Sequence, residues 1–169
     1  NINCSIEESI DRFAPVVAKS AAMAIRLLFA ALCLSLLLSA HADQPLQAWI
    51  DTALPGTVLR LPPGTYSGPA SITKPLTLEG NGKVVVDGGG KGTVLTIKAD
   101  KVTIRGLTLR GSGDSHDAID GAIMVAEGNG LLIENNVIED VLFGISLHRT
   151  TDSVIRHNRI RSRGASSAD

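Results

Sequence analysis

A repeating pattern of isoleucine and asparagine in the last third of the chain constrains its fold more than any other feature. Ile133, Asn136 and Ile138 recur after about 22 residues as Ile155, Asn158 and Ile160. One such repeat is too short to bury its own aliphatic side chains, so successive repeats must stack to share a core. The pattern therefore predicts a solenoid of short strands whose coils lie about 4.8 Å apart.

Short runs of aliphatic residues followed by glycine-rich turns extend this pattern toward the N-terminus. Val84-Val85-Val86, for example, precedes Asp87-Gly88-Gly89-Gly90. The chain has 17 glycines but only 3% aromatic residues, which favours many short strands over a helical bundle. We expect an all-β fold, a right-handed parallel β-helix with coils of about 22 residues. Asn136 is predicted to lie beneath Asn158, so that their amides hydrogen-bond along the stack.

An apolar run of twelve residues, 27–38, follows Met23 and Arg26 and precedes Ala40-His41-Ala42. This arrangement is typical of a secretory signal peptide. The apolar run itself is shorter than the length that a permanent membrane-spanning helix needs. We therefore interpret residues 1–22 as upstream readthrough, 23–42 as the signal peptide and 43–169 as the β-helix domain. The predicted location is outside the cytoplasm, and Cys4 and Cys33 both precede the mature part.

The two ends of the predicted β-helix differ in character. Residues 46–54 have apolar side chains at helical spacing, which predicts a short N-terminal helix that caps the first coil. After the coil that ends near Arg161 no polar cap follows. We therefore expect the domain to be incomplete at its C-terminus, with further coils in a longer protein.

One step of the repeat is too long. Ile104 fits the same template as Ile133, but the step between them exceeds the repeat by about seven residues. The excess falls on the polar segment 111–121, which we expect to leave the coil as an excursion. Protruding segments of solenoids often carry binding, so this excursion is predicted to be a partner-docking loop. Its predicted docking residues are five of its polar residues: Ser112, Asp114, His116, Asp117 and Asp120.

Charged residues give few functional signals. The chain has 16 basic and 17 acidic residues, so no attraction to nucleic acid is expected. The acidic side chains look scattered along the sequence, without a coil-to-coil stack of acids and bases. We interpret them as solvated surface charge, and the sequence therefore does not predict an enzyme. The basic residues near the C-terminus are given the same interpretation: Arg156, Arg159, Arg161 and Arg163.

Several motifs together resemble a known family. The sequence Leu-Pro-Pro-Gly-Thr-Tyr at 61–66 and the glycine turn after Asp87 resemble carbohydrate-binding and sugar-hydrolysis β-helix domains. With Ser115-His116-Asp117 and Leu142-Phe143-Gly144-Ile145, the chain looks like the NosD family of periplasmic maturation proteins for nitrous oxide reductase. The resemblance covers essentially all of residues 46–162.

The resemblance implies a non-enzymatic, periplasmic component of a copper-associated ABC transport system. Its partners would be the permease and ATPase subunits, a copper chaperone and nitrous oxide reductase, whose copper–sulfur centres it helps to assemble. No tightly bound cofactor is implied, and copper would be handled transiently.

Histidine and methionine are side chains that copper accepts. The predicted transient copper contact is His116 with Asp117 and Met124, because His148 and His157 fall at different positions around the coil.

Two other functions stay open at this point. A carbohydrate-active β-helix, either a lyase or a hydrolase, would need acids and bases stacked along one groove. A glycan-binding module would need aromatic side chains, and the chain has one Trp and one Tyr.

Overall fold

The computed structural model describes residues 44–163. The predicted signal peptide and the segment assigned to upstream readthrough lie outside the described residues. Within 44–163, no helix has the length and apolar character needed to cross a membrane.

The described chain contains one helix and fourteen strands. In chain order they are β1 (Gln44–Pro45), α1 (Leu46–Thr52), β2 (Val58–Arg60), β3 (Gly64–Ser67), β4 (Ala70–Ile72), β5 (Thr77–Asp87), β6 (Leu95–Lys98), β7 (Thr103–Arg110), β8 (Gly121–Asn129), β9 (Leu132–Glu134), β10 (Val137–Val141), β11 (Phe143–Leu147), β12 (Thr150–Thr151), β13 (Val154–Arg156) and β14 (Arg159–Ser162).

All strand pairs are parallel and form three columns that run along the solenoid. The first column stacks β2, the first part of β5, the first part of β7, then β9 and β13. The second stacks β1, β3, the later parts of β5 and β7, then β10 and β14. The third stacks β4, β6, β8 and β11, and β12 pairs with the end of β8. The result is a right-handed β-helix of about five turns, as the sequence predicted.

Aliphatic side chains at one register position form a continuous core. The row in the first column is Leu59, Leu78, Ile104, Ile133 and Ile155. Its three middle members are at most 1% exposed. The predicted pairing of Ile133 with Ile155 is confirmed. Coil length is not uniform, because the step from Leu59 to Leu78 is the shortest in the row and the step from Ile104 to Ile133 is the longest.

The bend between the first and second columns is made by residues in the left-handed region. Asn135 and His157 occupy equivalent positions and both have φ of 54°. Gly106, with φ of 65°, bends the coil below, where a β-carbon would lie 2.9 Å from the backbone nitrogen of Asn81. Glycine and asparagine tolerate this conformation better than most residues, which explains their recurrence at this bend.

The predicted asparagine stack is confirmed. The Nδ2 of Asn136 donates to Oδ1 of Asn158 at 3.0 Å and also to the carbonyl of Ile104 at 3.0 Å. Its Oδ1 accepts a hydrogen bond from the backbone nitrogen of Leu107, and Asn158 donates to the carbonyl of Ile133. Because Asn136 is only 1% exposed, these bonds satisfy backbone groups that would otherwise be buried without partners.

The start of the described solenoid is closed, whereas its far end is open. The helix α1 buries Leu46 and Ile50, one helical turn apart, and Gln47 hydrogen-bonds in both directions with Ser71 at the edge of β4. The predicted helix is confirmed, although it ends at Thr52 and not at Leu54.

An aromatic pair lies beside this helix. Trp49 packs edge-on against Tyr66, with ring centroids 6.2 Å apart. Desolvation by burial raises the pKa of the Tyr66 hydroxyl, which donates a hydrogen bond to the carbonyl of Pro62 at 2.9 Å. The Tyr of the Pro-Pro-Gly-Thr-Tyr motif therefore belongs to the closed end of the core.

Truncating the core row should destabilise the whole solenoid. We expect Ile133→Ala to lower the free energy of unfolding by about 2–5 kcal/mol, because it leaves a cavity between coils that cannot close. Urea unfolding followed by circular dichroism measures this change. Val137→Ala is the matched control, since Val137 is 37% exposed on the adjacent strand. A loss for Ile133→Ala no larger than that of the control would contradict a shared core.

Candidate functional site

The segment 111–120 leaves the coil between β7 and β8, where the excess residues were predicted. It lies against a shorter loop, 88–94, at the same corner of the preceding coil. The backbone nitrogen of Gly90 donates to the carbonyl of Gly111 at 2.9 Å, and that of Gly113 donates to the carbonyl of Gly92 at 2.8 Å. We call residues 111–120 the excursion.

Two of the five predicted docking residues form the base of the excursion. Ser112 is fully buried, and its Oγ accepts a hydrogen bond from the backbone nitrogen of Leu142 at 2.9 Å. Asp120 is 7% exposed, and its carboxylate accepts a hydrogen bond from the backbone nitrogen of Ser115 at 3.0 Å. These side chains fix the shape of the excursion and are not positioned to touch a partner.

The other three predicted docking residues are exposed. Asp114, His116 and Asp117 lie along the outer part of the excursion. The His116 ring packs edge-on against Phe143, with centroids 5.8 Å apart. The excursion therefore presents one imidazole and two carboxylates on a base that the coils hold in place.

Arg163, beyond the last strand, ties the excursion to the coil above it. Its guanidinium donates to the Asp114 carboxylate, to the carbonyl of Ser112 at 3.0 Å and to Oδ1 of Asp140 at 3.0 Å. A planar guanidinium can reach several acceptors at once, which suits it to this bridging position. The interpretation of Arg163 as a solvated surface residue was wrong.

The predicted copper ligands are not all brought together. His116 and Asp117 are neighbours on the excursion, whereas Met124 lies within β8 in register with Thr96 and Ser146. Phe143, which His116 contacts, is in register with Gly121, three strand positions from Met124 or about 10 Å. Across residues 44–163 no three His, Cys, Asp or Glu side chains are gathered in a way that could hold a metal ion. These residues do not fit a preformed copper site.

Charged side chains alternate in sign along the outer face of the first column. The members of this first charge ladder are Arg60, Glu79, Arg105, Glu134 and Arg156, one from each coil at one register position. Glu79 accepts from Arg60 at 3.1 Å and from Arg105 at 3.3 Å. Glu134, only 8% exposed, accepts from Arg156 at 2.7 Å. The interpretation of the acids as scattered, without a coil-to-coil stack, was therefore wrong.

Two further ladders follow the same rule. The second, at the end of the second column, contains Asp87, Arg110, Glu139 and Arg161. The third, at the end of the third column, contains Lys98, Glu127 and Arg149. In the second ladder Arg110 contacts Asp87 at 2.8 Å, and in the third Arg149 contacts Glu127 at 3.5 Å.

The first and second ladders change sign together. The coil with Glu79 and Asp87 is acidic at both positions, the next coil has arginine at both, and the coil after that has Glu134 and Glu139. The coil with Arg105 and Arg110 therefore has opposite charges in register at two points on both of its neighbours, and so does the coil with Glu134 and Glu139. The first coil has Arg60 but an uncharged Ser67 at these two positions. Exposed pairs of this kind contribute about 0–1 kcal/mol each, and adjacent like charges would be unfavourable.

A shallow groove beside the excursion is lined by the second ladder and its surroundings: Asp87, Arg110, Glu139, Asp140, Arg161, Ser162 and Arg163. Two of its acids are engaged by arginine, Asp87 by Arg110 and Asp140 by Arg163. Within the described part of the chain, Glu139 and Arg161 form no ion pair. The groove offers both signs of charge next to the excursion.

Comparison with known proteins agrees with this architecture. The family model described as a right-handed β-helix region matches residues 76–168. The chain is 34% identical over 98 residues to the "Probable ABC transporter binding protein NosD" of Pseudomonas aeruginosa, covering 57% of this chain and 23% of that protein.

A protein of the same name from Stutzerimonas stutzeri is 31% identical over 102 residues, which cover 60% of this chain and 23% of the relative. The chain thus spans about a quarter of the length of these curated relatives. No solved structure matches it significantly.

Arg163 should control the mobility of the excursion. We expect Arg163→Gln to speed amide hydrogen exchange in residues 113–118 several-fold, because the ties to Asp114 and to the Ser112 carbonyl are weakened. Exchange measured by mass spectrometry on the intact chain tests this. Arg159→Gln is the control, as Arg159 is exposed and has no ion pair in the described chain. Equal exchange in both variants would mean that Arg163 does not hold the excursion.

Proposed function

The chain belongs to the right-handed β-helix family, and on that premise we propose that it is a NosD-like accessory protein of an ABC transport system. In this proposal it supports the assembly of the copper–sulfur centres of nitrous oxide reductase from the periplasm. Its partners would be the permease and ATPase subunits, a copper chaperone and the reductase. It would act as a scaffold and not as an enzyme.

The similarity to proteins named as ABC transporter binding proteins supports the transporter association. Those relatives are about four times as long as the segment that matches this chain. The role of the whole protein is therefore a proposal for this chain. The periplasmic location rests on the signal peptide predicted for residues 23–42.

The observation that carries the proposal is the excursion, an exposed polar segment held on a buried base. A rigid base lowers the entropic cost of binding, because the loop needs little ordering when a partner docks. The exposed residues Asp114, His116 and Asp117 supply hydrogen-bond acceptors and one imidazole at the tip. We therefore place the docking surface on these three residues and the adjoining groove.

Copper enters this proposal as cargo of the transport system. His116 and Asp117 could contact it briefly during transfer, but Met124 is too far along β8 to complete a set with them. No copper-dependent step is therefore assigned to these residues. We favour docking of a partner that itself carries the metal, because this role needs no metal ligands on the excursion.

A carbohydrate-active β-helix is the alternative function, since the ladders do stack acids and bases along the coils. General acid–base cleavage of a sugar needs a carboxyl group that is free to exchange a proton with the substrate. In the first ladder Glu79 and Glu134 are mostly buried and their oxygens accept hydrogen bonds from arginine. This arrangement favours a structural role for those acids.

Removing the exposed side chains of the excursion should weaken partner binding. We expect His116→Ala/Asp117→Ala to reduce affinity at least tenfold, because interface centres often depend on a few side chains. The measurement is biolayer interferometry of the chain against the purified permease–ATPase complex and against nitrous oxide reductase from the encoding organism.

The matched control is His148→Ala/Asp152→Ala, which removes the same residue types from exposed positions at the end of the third column. The control should bind like the wild type. If both double variants bind equally well, or if the unaltered chain binds neither partner, the docking proposal fails.

A further inference from the structure

A four-residue motif, Glu-Gly-Asn-Gly, occurs twice in the described chain. It covers residues 79–82 in the middle of β5 and residues 127–130 at the end of β8. The asparagines of the two motifs are Asn81 and Asn129, and both are exposed. Because the neighbouring residues are identical, a difference in reactivity between the two asparagines has to come from the fold.

An asparagine followed by glycine can react with its own main chain. The backbone nitrogen of the glycine attacks Cγ of the asparagine side chain, and glycine has no β-carbon to hinder this approach. Asparagine is for this reason among the thermally labile residues. The attack requires the peptide between the two residues to rotate, so hydrogen bonds that hold this peptide slow the reaction.

The second motif is tied to its neighbouring coils on both sides of the asparagine. The backbone nitrogen of Gly130, which is the attacking atom in this motif, donates to the carbonyl of Thr151 at 3.1 Å. The backbone nitrogen of Asn129 donates to Oδ1 of Asp100 at 2.9 Å. Asn129 is also in register with Thr151 of β12. These bonds must open before the Gly130 nitrogen can turn toward the side chain of Asn129.

The first motif lies in an irregular bend between the two halves of β5. The strand pairings of β5 with β2, β3 and β7 cover residues 77–79 and 84–87, and they leave residues 80–83 without an in-register partner. The φ angles of Asn81 and Gly82 are 50° and 70°, so both residues leave the extended conformation. A β-carbon on Gly82 would meet no atom within 4 Å, and the space beside its backbone is therefore open.

We propose that Asn81 is a site of spontaneous deamidation in the folded protein and that Asn129 is protected. The Gly82 nitrogen gives its proton to a solvent base and forms a bond to Cγ of Asn81, and the side-chain nitrogen leaves as ammonia. Water then opens the resulting succinimide. Cleavage of the new bond gives aspartate, and cleavage of the original peptide bond gives isoaspartate. The reaction needs water as its only co-reactant, and this inference does not rest on the proposed function.

Deamidation changes the charge of a shallow groove on the outer face of the solenoid. This groove contains Asn81 and Asn135 together with Glu79, Arg105 and Glu134 of the first ladder. Its charged side chains are thus two carboxylates and one guanidinium. Conversion of the Asn81 amide to a carboxylate makes the groove more acidic by one charge.

The isoaspartate product would also disturb the stacking of the coils. It adds one carbon to the main chain at Asn81, where the next coil lies very close. A β-carbon on Gly106 of that coil would lie only 2.9 Å from the backbone nitrogen of Asn81. An additional main-chain atom therefore strains the pairing of β5 with β7 on either side of the bend. We expect the isoaspartate form to unfold at a lower urea concentration than the unreacted chain.

The two identical motifs provide an internal comparison. The full chain is incubated at mildly alkaline pH, once folded and once unfolded in guanidinium chloride, and peptide mapping by mass spectrometry follows deamidation at each asparagine. In the unfolded chain Asn81 and Asn129 should react at similar rates. In the folded chain we expect Asn81 to react about tenfold faster, because the hydrogen bonds at Asn129 must first open. Methyl transfer by an isoaspartyl methyltransferase measures the isoaspartate product.

Glutamine variants make the test specific, because glutamine keeps the amide but forms the corresponding ring much more slowly. Asn81→Gln should remove most of the isoaspartate formed in the folded chain and the fall in its urea midpoint, whereas Asn129→Gln should leave both unchanged. The inference is overturned if Asn129 reacts as fast as Asn81 in the folded chain, if Asn81 reacts only after unfolding, or if aspartate is the sole product. An unchanged urea midpoint in a chain that carries isoaspartate at position 81 would overturn the effect on stacking.

Discussion

The structure depends on the vertical alignment of parallel strands from one coil to the next. No coil of this chain can bury its aliphatic row alone, because Ile104 becomes fully buried only between Leu78 and Ile133. The same alignment places the side chain of Asn136 against that of Asn158. Each feature of the solenoid, including the position of the excursion, is a consequence of this register.

Register also explains the charges on the outer face. A strand that slipped by one residue would move its aliphatic row outward. A strand that paired with the coil after next, and not with the adjacent coil, would place like charges side by side. Every coil has a similar aliphatic row, so the hydrophobic pattern alone would tolerate pairing between coils that are not adjacent. The alternation of Glu79, Arg105 and Glu134 makes such pairing unfavourable. We interpret the ladders as a device that distinguishes neighbouring coils which otherwise look alike.

Much of this could be predicted from the sequence, since two coils share the same repeat interval. The pairing of Ile133 with Ile155, the asparagine stack and the place of the excursion all followed from that interval. The ladder members Arg60, Glu79 and Arg105 were missed because the steps between them differ from the repeat interval of the later coils. Glu134 and Arg156 do lie one repeat apart, but the comparison of coils used only the aliphatic and asparagine positions.

The roles of Ser112 and Asp120 could not be predicted for a different reason. A polar residue in a glycine-bounded segment is usually solvated, but here residues of the next coil cover both of them. The backbone nitrogen of Leu142 donates to Oγ of Ser112, and that of Phe143 donates to the carbonyl of Asp120. Arg163 is a similar case, because its partners Asp140 and Asp114 are separated from it by 23 and 49 residues in the sequence. Such contacts follow from the fold and have no local sequence signal.

Disulfide trapping on the outer face of the second column tests the coil-to-coil register most directly. In a chain with Cys4 and Cys33 replaced by serine, the pair Val85→Cys/Thr108→Cys joins positions in register on adjacent coils, about 4.8 Å apart. The pair Val85→Cys/Val137→Cys lies two coils apart, at about 10 Å, which is too far for a disulfide. Mild oxidation followed by mass spectrometry should find the first cross-link and not the second. Efficient formation of the second, or absence of the first, would contradict the stacked register.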